Sequence, residues 1–445
     1  MKKFIETIKN IFKIEELRNR LLTTFFFVVI YRLGSYIVLP GVDVAVLNEI
    51  GSSADSGLMM LLDMFSGGAF SNASIFALGI MPYITASIVV QLLGMAIPYF
   101  QKLQREGESG RRKMDQITRY LTVLLLMFQG PAYLLSIKYQ VGAALPQGNF
   151  FMITSTLILA AGSMFVLWLG ERITDKGIGN GVSFIIMVGI IARFPRSLMG
   201  EYMSRLNEAA GGLVMFLAEI VFLLLVIAAS ILLVQGVRKV PVQYAKRIVG
   251  NQQYGGVRQY IPLKVNAAGV MPIIFAQALM LIPTSLSGFF ATDGNVSNFA
   301  LAFMDVNGFW YNFVFFILII AFTYFYTAVT MNPTQMAEHM KMNNGFIPGV
   351  KPGKKTAEYL DTIMSRITLP GSIFLGIVAI MPAFAGMFGV SQAFAQFFGG
   401  TSLLIMVGVV LDTLQQVESH LLNRHYDGLM SSGRIKGRTG SIAAY

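Results

Sequence analysis

The chain is laid out as long apolar runs separated by short polar joints, and within the runs apolar and polar residues do not alternate. Continuous apolar stretches of about 20 residues are the mark of helices that cross a bilayer, whereas barrel strands carry a period of two. Ten such runs can be drawn: 21–40, 73–97, 118–138, 151–170, 181–197, 213–235, 267–289, 311–331, 369–388 and 399–419. The end of the fifth is crowded by Arg193 and Arg196. The pattern breaks just before the second run. "GLMMLLDMF" (57–65) is apolar but too short to span, and Ser66-Gly67-Gly68 and the polar Ser71, Asn72 and Ser74 follow it. At the start of the chain, Phe4, Ile5, Ile8, Ile11, Phe12 and Leu17 recur at helical spacing with lysines between them. That spacing predicts an amphipathic helix on the membrane surface within residues 1–20. The apolar run after it is too long for a signal peptide and lacks a small-residue cleavage site.

Composition agrees with the pattern. Of 445 residues, 55% are hydrophobic and 13% charged, against about a quarter charged in soluble domains; mean hydropathy is +0.63. The net charge of +11 reads first as topology rather than nucleic-acid binding. With the N-terminus inside, the cytoplasmic segments hold 29 of the 34 Lys and Arg, the outside loops hold Lys138, Arg193, Arg196 and Arg205, and Arg32 lies in the first run. This asymmetry predicts ten spans with both termini in the cytoplasm. There is no cysteine, and the three histidines, His339, His420 and His425, fall in or beside cytoplasmic segments. No HExxH, GxSxG or Walker loop is present. Thiol, metalloprotease and nucleotide chemistry are therefore unsupported, and no catalytic residue, metal or cofactor is expected.

"GIMPYITAS" (79–87) and "GVMPIIFAQ" (269–277) share a pattern in which Gly79, Met81, Pro82 and Ile84 match Gly269, Met271, Pro272 and Ile274. Five spans separate the two copies, which would run in opposite directions. The simplest account is an inverted repeat of two five-helix halves meeting near the bilayer midplane. An inverted-repeat secondary transporter is one reading, and it needs an ionisable residue along the path. The candidates are Arg32, Glu219 and Asp412, with Gln129, Thr85 and Asn266 adding neutral polarity. Each charge also reads as one that snorkels, pairs or sits near a helix end. Isoleucine is far more plentiful. Branched apolar side chains converging on one level make a neck that sheds water, bars ions and binds nothing specifically.

Several long stretches carry a resemblance. "MFSGGAFSNASIFALGIMPYITASIVVQLL" (64–93), "ERITDKGIGNGVSFIIMVGI" (171–190), "LKVNAAGVMPIIFA" (263–276), the segment 325–372 and "GGTSLLIMVGVVLDTLQQV" (399–417) resemble the SecY family of protein-conducting channels along nearly the whole chain. The resemblance implies an all-α polytopic membrane protein. Ten transmembrane helices would form two inverted halves, 21–205 and 206–445, with a short re-entrant plug helix at about 57–71. It implies a pore ring of Ile80, Ile84, Ile186, Ile190, Ile274 and Ile405, all isoleucine here. Within the plug, Gly67 and Gly68 would supply a hinge, and Asp63 and Ser66 suggest only marginal docking. A lateral gate would lie between the second, third, seventh and eighth spans. Pro82 and Pro272 would weaken its helical ladders, and Thr85, Gln129 and Asn266 would form its polar cluster.

Two cytoplasmic loops, 236–266 and 332–368, and a tail over 420–445 complete the expectation. In the loops Arg238, Lys239, Lys246, Arg247, Arg258, Lys351, Lys354 and Lys355 would dock the ribosome, including its rRNA phosphate, or the SecA motor ATPase. Topology alone explains most of these charges. The family usually has Arg-Pro-Gly where this chain has Lys351-Pro352-Gly353, which keeps the charge but loses the planar fork. The implied partners are SecE, SecG, SecA, the ribosome, lipids and unfolded secretory or membrane polypeptides. The implied location is the plasma (inner) membrane, and the function is translocation with sideways release of apolar segments. A membrane insertase without a pore is the remaining rival, for which the isoleucines would be dispensable.

Overall fold

The computed structural model describes residues 14–42, 63, 65–141, 149–207, 212–244, 247–249, 252–254, 258–277, 279–280 and 308–431. The predicted surface helix up to Lys13, the plug positions 57–62 and Met64, Lys246, the seventh run beyond 280 and the tail beyond Ser431 lie outside the described residues. Of Arg247 and Arg258 only the backbone is described.

The described fold is predominantly helical. In chain order it comprises α1 (Glu15–Gly34), α2 (Met81–Ala96), α3 (Pro98–Arg105), α4 (Glu108–Val141), α5 (Asn149–Lys176), α6 (Gly181–Asn207) and α7 (Gly212–Gln235). Strands β1 (Val237–Tyr244), β2 (Arg247–Val249), β3 (Gln252–Tyr254) and β4 (Arg258–Lys264) follow. A helical stretch over 271–277 precedes α8 (Phe309–Thr330), α9 (Pro333–Met342), β5 (Gly345–Phe346), α10 (Lys354–Met387), α11 (Gln392–Ala395) and α12 (Gly400–Ser431). Among the described residues, six helical stretches are by length and composition apolar enough to cross a membrane: Asn149–Lys176, Gly181–Leu206, Gly212–Gln235, Phe309–Met342, Lys354–Met387 and Gln392–His420. Met81–Gly94 and Pro98–Gln104 form one further pair, bent by 101°. The first and third predicted runs fall on α1 and α4.

Three predicted spans take another form. The second, drawn from residue 73, is helical only from Met81, because 66–80 are turns and an isolated bridge of Val38 with Ser74. The seventh, drawn from 267, opens with turns and becomes helical at Met271. In both copies of the repeat the glycine is the cause. Gly79 and Gly269 have φ of 51° and 63°, a left-handed conformation that an α-helix cannot contain. The fifth span does not stop at 197 but runs on to Asn207, so Arg205 lies on a helix rather than in a loop.

α6 is the hub of the packing. It touches α5 and α1 on one side and α7 and α12 on another, while α8 packs on α10 and α4 on α2 and α5. The principal apolar core centres on it, including Ile185, Ile186, Met187 and Ile190. Its C-terminal end is tied by charge. Arg205 bonds Glu201 at 3.0 Å, Glu219 of α7 at 2.7 Å and the carbonyl of Gly389 at 2.7 Å. Glu201 also accepts the Ser391 amide at 3.0 Å. All three charged side chains are buried, so the triad staples α6 to α7 and to the turn between α10 and α11.

The stretches after α7 and before α10 hold what periodicity in the apolar runs does not reveal. β1 pairs antiparallel with β4 from Val237↔Lys264 to Gln243↔Arg258, and β5 from the other loop adds to β1 at Gln243↔Phe346. Val240 and Val242 of β1 turn inward onto Leu263, Met340, Ile347, Leu360 and Met364. The two loops thus share one sheet and one small core. α9 starts sharply because the Asn332 side chain caps the amides of Thr334 and Gln335, with Pro333 in the first turn.

The staple generates a stability prediction. Arg205→Gln leaves two carboxylates buried without a counter-charge, a loss of about 3–5 kcal/mol. The unfolding midpoint in detergent, followed by tryptophan fluorescence, is expected to fall by about 5 °C or more. A midpoint unchanged from the parent would refute a structural role for the triad.

Candidate functional site

The six isoleucines converge on the principal core. Ile186 and Ile190 are one turn apart on α6 and so share a face; both are buried, Ile190 completely. Ile405 of α12 and Ile80, the residue preceding α2, are also buried in that cluster. Ile84 in the first turn of α2 and Ile274 in 271–277 are partly buried against it. These side chains offer no hydrogen-bonding atom, so the zone they share can neither hold water firmly nor solvate an ion.

Asp63 and Phe65, both helical, lead into the irregular stretch 66–80, and this segment runs alongside. Phe65 enters the same cluster as the isoleucines. The backbone polar groups of this stretch find partners inside the protein, as they must where no water is present. The Ser66 carbonyl accepts Tyr31 Oη at 3.1 Å, that of Gly67 accepts Arg32 at 2.6 Å and that of Phe70 accepts Tyr133 Oη at 2.7 Å. The amides of Leu39 and Ile75 bond the carbonyls of Ala73 and Ile37.

Asp63 and Ser66 correct the expectation of marginal docking. Both are buried. The Asp63 carboxylate accepts the Ser71 amide at 2.7 Å and forms an ion pair with Arg193 of α6. Its carbonyl accepts the Gly68 amide and Ser66 Oγ, and Ser66 Oγ accepts the Phe70 amide. Gly67 and Gly68 have φ of 65° and 93°. Gly67 also lies against Gly189: a Cβ on Gly67 would come within 2.7 Å of the Gly189 Cα. Backbone meets backbone there, one residue before Ile190.

The residues expected at the gate are differently arranged. Pro82 occupies the first turn of α2, and Pro272 follows Met271, the first residue of 271–277. An amide there has no intrahelical partner, so neither proline removes a ladder bond. Both mark a helix start instead of a weak point within one. Thr85 bonds its own helix at Met81. Asn266 is buried with Oδ1 lacking a hydrogen-bond partner, and Gln129 is partly buried on α4. Among the described residues no hydrogen bond joins these three side chains.

The charges singled out as transport candidates are committed elsewhere or face outward. Glu219 pairs with Arg205, Arg32 bonds Gly67 and stacks over Tyr36, and Asp412 is exposed. Arg238 and Lys239 are exposed on β1, Lys351 in the turn before α10, and Lys354 and Lys355 at its start. Lys355 pairs with Glu358 at 3.0 Å. Lys351-Pro352-Gly353 forms the turn into α10, where Gly353 has φ of 96° and the Lys351 carbonyl accepts Thr356 Oγ1.

Arg193, Gly189, Tyr31 and Tyr133 join the site without having been singled out for it. Only Gly189 gave a local signal, a glycine between Ile186 and Ile190 on a buried helix. The others act through partners 35 to 130 positions away (for example, Tyr31 to Ser66, separated by 35), beyond the reach of any local pattern.

Comparison with known proteins was consistent throughout. The SecY family model matches residues 74–414. "Protein translocase subunit SecY" of Streptomyces scabiei is 43% identical over 432 residues, covering 94% of this chain and 98% of the relative. The protein of that name from Thermotoga maritima is 39% identical over 442 residues, covering 97% and 99%. A solved structure described as that of a protein conducting channel superposes with a TM-score of 0.59 at 17% identity, covering 90% of this chain and 92% of that one. A SecY structure concerned with the plug domain and the closed state gives 0.58 at 18%, with the same coverage. The match to the family model and the near full-length identity to its members establish that this chain belongs to the SecY family.

Proposed function

We propose that this chain is the pore-forming subunit of a protein translocase, passing unfolded polypeptides across the membrane and releasing apolar segments sideways into lipid. One observation carries the reading: the six isoleucines at the family's ring positions lie in one apolar cluster with Phe65, just before the irregular stretch. An apolar neck conducts neither water nor ions when closed. It makes no specific contact, so it accepts side chains of any kind when a chain threads it.

The remaining parts follow from the same reading. Ten spans in two inverted halves, 21–205 and 206–445, surround the neck, and the segment ending in 63–71 is its plug. Gate opening parts the second and third spans from the seventh and eighth. The helix starts at Pro82 and Pro272 put non-helical backbone on both of its moving edges. An apolar signal helix competes there with apolar packing, since no hydrogen bond joins Thr85, Gln129 and Asn266 among the described residues. The chain lies in the plasma (inner) membrane with both ends cytoplasmic, in line with its Lys/Arg asymmetry. SecE clamps the halves, SecG accompanies them, and SecA or the ribosome docks on the sheet formed by 236–266 and 332–368. One superposed structure is of Sec61 in a canine ribosome–channel complex, which supports a ribosome as one such partner. Catalysis has no part in this reading; the free energy of movement comes from the docked motor.

The absence of native cysteine makes the neck directly testable. A Cys at Ile84 is expected to form a disulfide with a single Cys in the middle of a stalled secretory precursor. A Cys at Val89, exposed on the outer face of α2, is expected to form none. Failure at positions 84, 186 and 274 alike would make these isoleucines ordinary packing and remove the pore reading.

The docking turn gives a second prediction. If Lys351 acts by charge alone, Lys351→Arg keeps SecA affinity at the parent level. Lys351→Gln lowers it about two- to fivefold, as expected for an exposed pair, with a weaker salt dependence in equilibrium binding to proteoliposomes. Equal affinities for the Gln variant and the parent would leave the charge a purely topological one.

A further inference from the structure

We infer that Arg193 is a positioning residue for the closed state. Its ion pair with Asp63 latches the plug to α6, and loss of the arginine unseals the resting channel more than loss of the aspartate does. This rests on the pore reading above.

Three observations point to it. First, the pair joins two parts that must separate if the plug moves, since Asp63 leads into the irregular stretch and Arg193 belongs to α6. Second, Arg193 lies three residues beyond Ile190, hence on the same side of α6, and next to the Gly67–Gly189 approach. The latch therefore holds the plug at the level of the ring. Third, the partners are unequally buried, with side-chain exposures of 7% for Asp63 and 31% for Arg193.

The inequality sets the direction. With the plug docked, Asp63 has surrendered its water and depends on Arg193 and the Ser71 amide. Remove Arg193, and the docked state contains a buried carboxylate with no counter-charge. The undocked state hydrates that carboxylate, so the equilibrium moves toward opening. Remove the charge of Asp63 instead, and Arg193 is still exposed enough to reach water, so docking loses the pair but gains no orphan. Neutralising both leaves two amide side chains able to hydrogen-bond each other, with no buried charge at all. The double variant should therefore seal better than Arg193→Gln alone. Ordinary damage to packing would instead accumulate.

The test is ion leak through the complete translocase complex reconstituted in proteoliposomes without precursor, read by anion-sensitive dye quenching. Arg193→Gln is expected to raise the leak at least tenfold, equivalent to about 1.4 kcal/mol in the closed–open equilibrium. Asp63→Asn should raise it less, and Asp63→Asn/Arg193→Gln should fall below Arg193→Gln. Arg196→Gln, an exposed cation one turn along the same helix, should stay as tight as the parent. Single variants as tight as the parent, additive leaks in the double variant, or a leak in Arg196→Gln equal to that of Arg193→Gln would each overturn the latch. The precursor crosslink at Ile84 is scored in the same vesicles. A crosslink with no leak in Arg193→Gln rejects the latch and keeps the pore; loss of the crosslink in the parent rejects the pore itself.

Discussion

A backbone that leaves the helical path inside a membrane must find every hydrogen-bonding partner within the protein. Residues 66–80 leave that path between the apolar spans, and the surrounding architecture supplies partners. Tyr31 and Arg32 reach in from α1, Tyr133 from α4, and the strand-like residues 37–39 lend their own amides and carbonyls. α6 contributes a glycine where the chains touch and an arginine where a carboxylate is buried. The isoleucines are placed by the same contacts. Ile80 stands at the end of the irregular stretch, Ile84 one turn into the helix that follows it, and Ile186 and Ile190 on the helix it leans against.

The two ends of α6 divide the work of rigidity. At its C-terminal end a buried triad with several hydrogen bonds fixes α6 to α7 and to residues 389–391. In its middle one unevenly buried ion pair and a glycine contact hold Asp63 and Gly67. Desolvated, multiply bonded charges resist separation, whereas a pair with one more exposed partner separates at less cost. The helix thus carries its strongest electrostatics at one end and a weaker pair beside the isoleucines of its middle.

Much of this was legible in the chain. Apolar run length located most of the spans, the lysines and arginines suggested their orientation, and the glycine break before residue 73 announced something other than a span. Matching Gly-x-Met-Pro sequences were visible too, but their effect was misread. A proline in an apolar run looks like a fault in a helix; only the left-handed glycine three residues before it shows that the helix has not yet begun. Asp63 and Ser66 suggested loose docking because the partner of Asp63 lies 130 positions away on α6 and carries a charge that topology already explained. The sheet of β1, β4 and β5 escaped notice for a related reason: β5 is two residues long and makes sense only beside β1.

That sheet changes how this end of the molecule bears mechanical load. β1 is bonded to β4 within its own loop and to β5 of the other loop, and the small core beneath includes Leu360 and Met364 of α10. α10 then continues without a break for 34 residues, about 50 Å at the usual helical rise. A push on either loop is therefore shared by both and carried into the bilayer along one rod. Pro370 and Pro382 are the points on that rod where a ladder bond is missing. A load carried along that rod would bend it first at those two places.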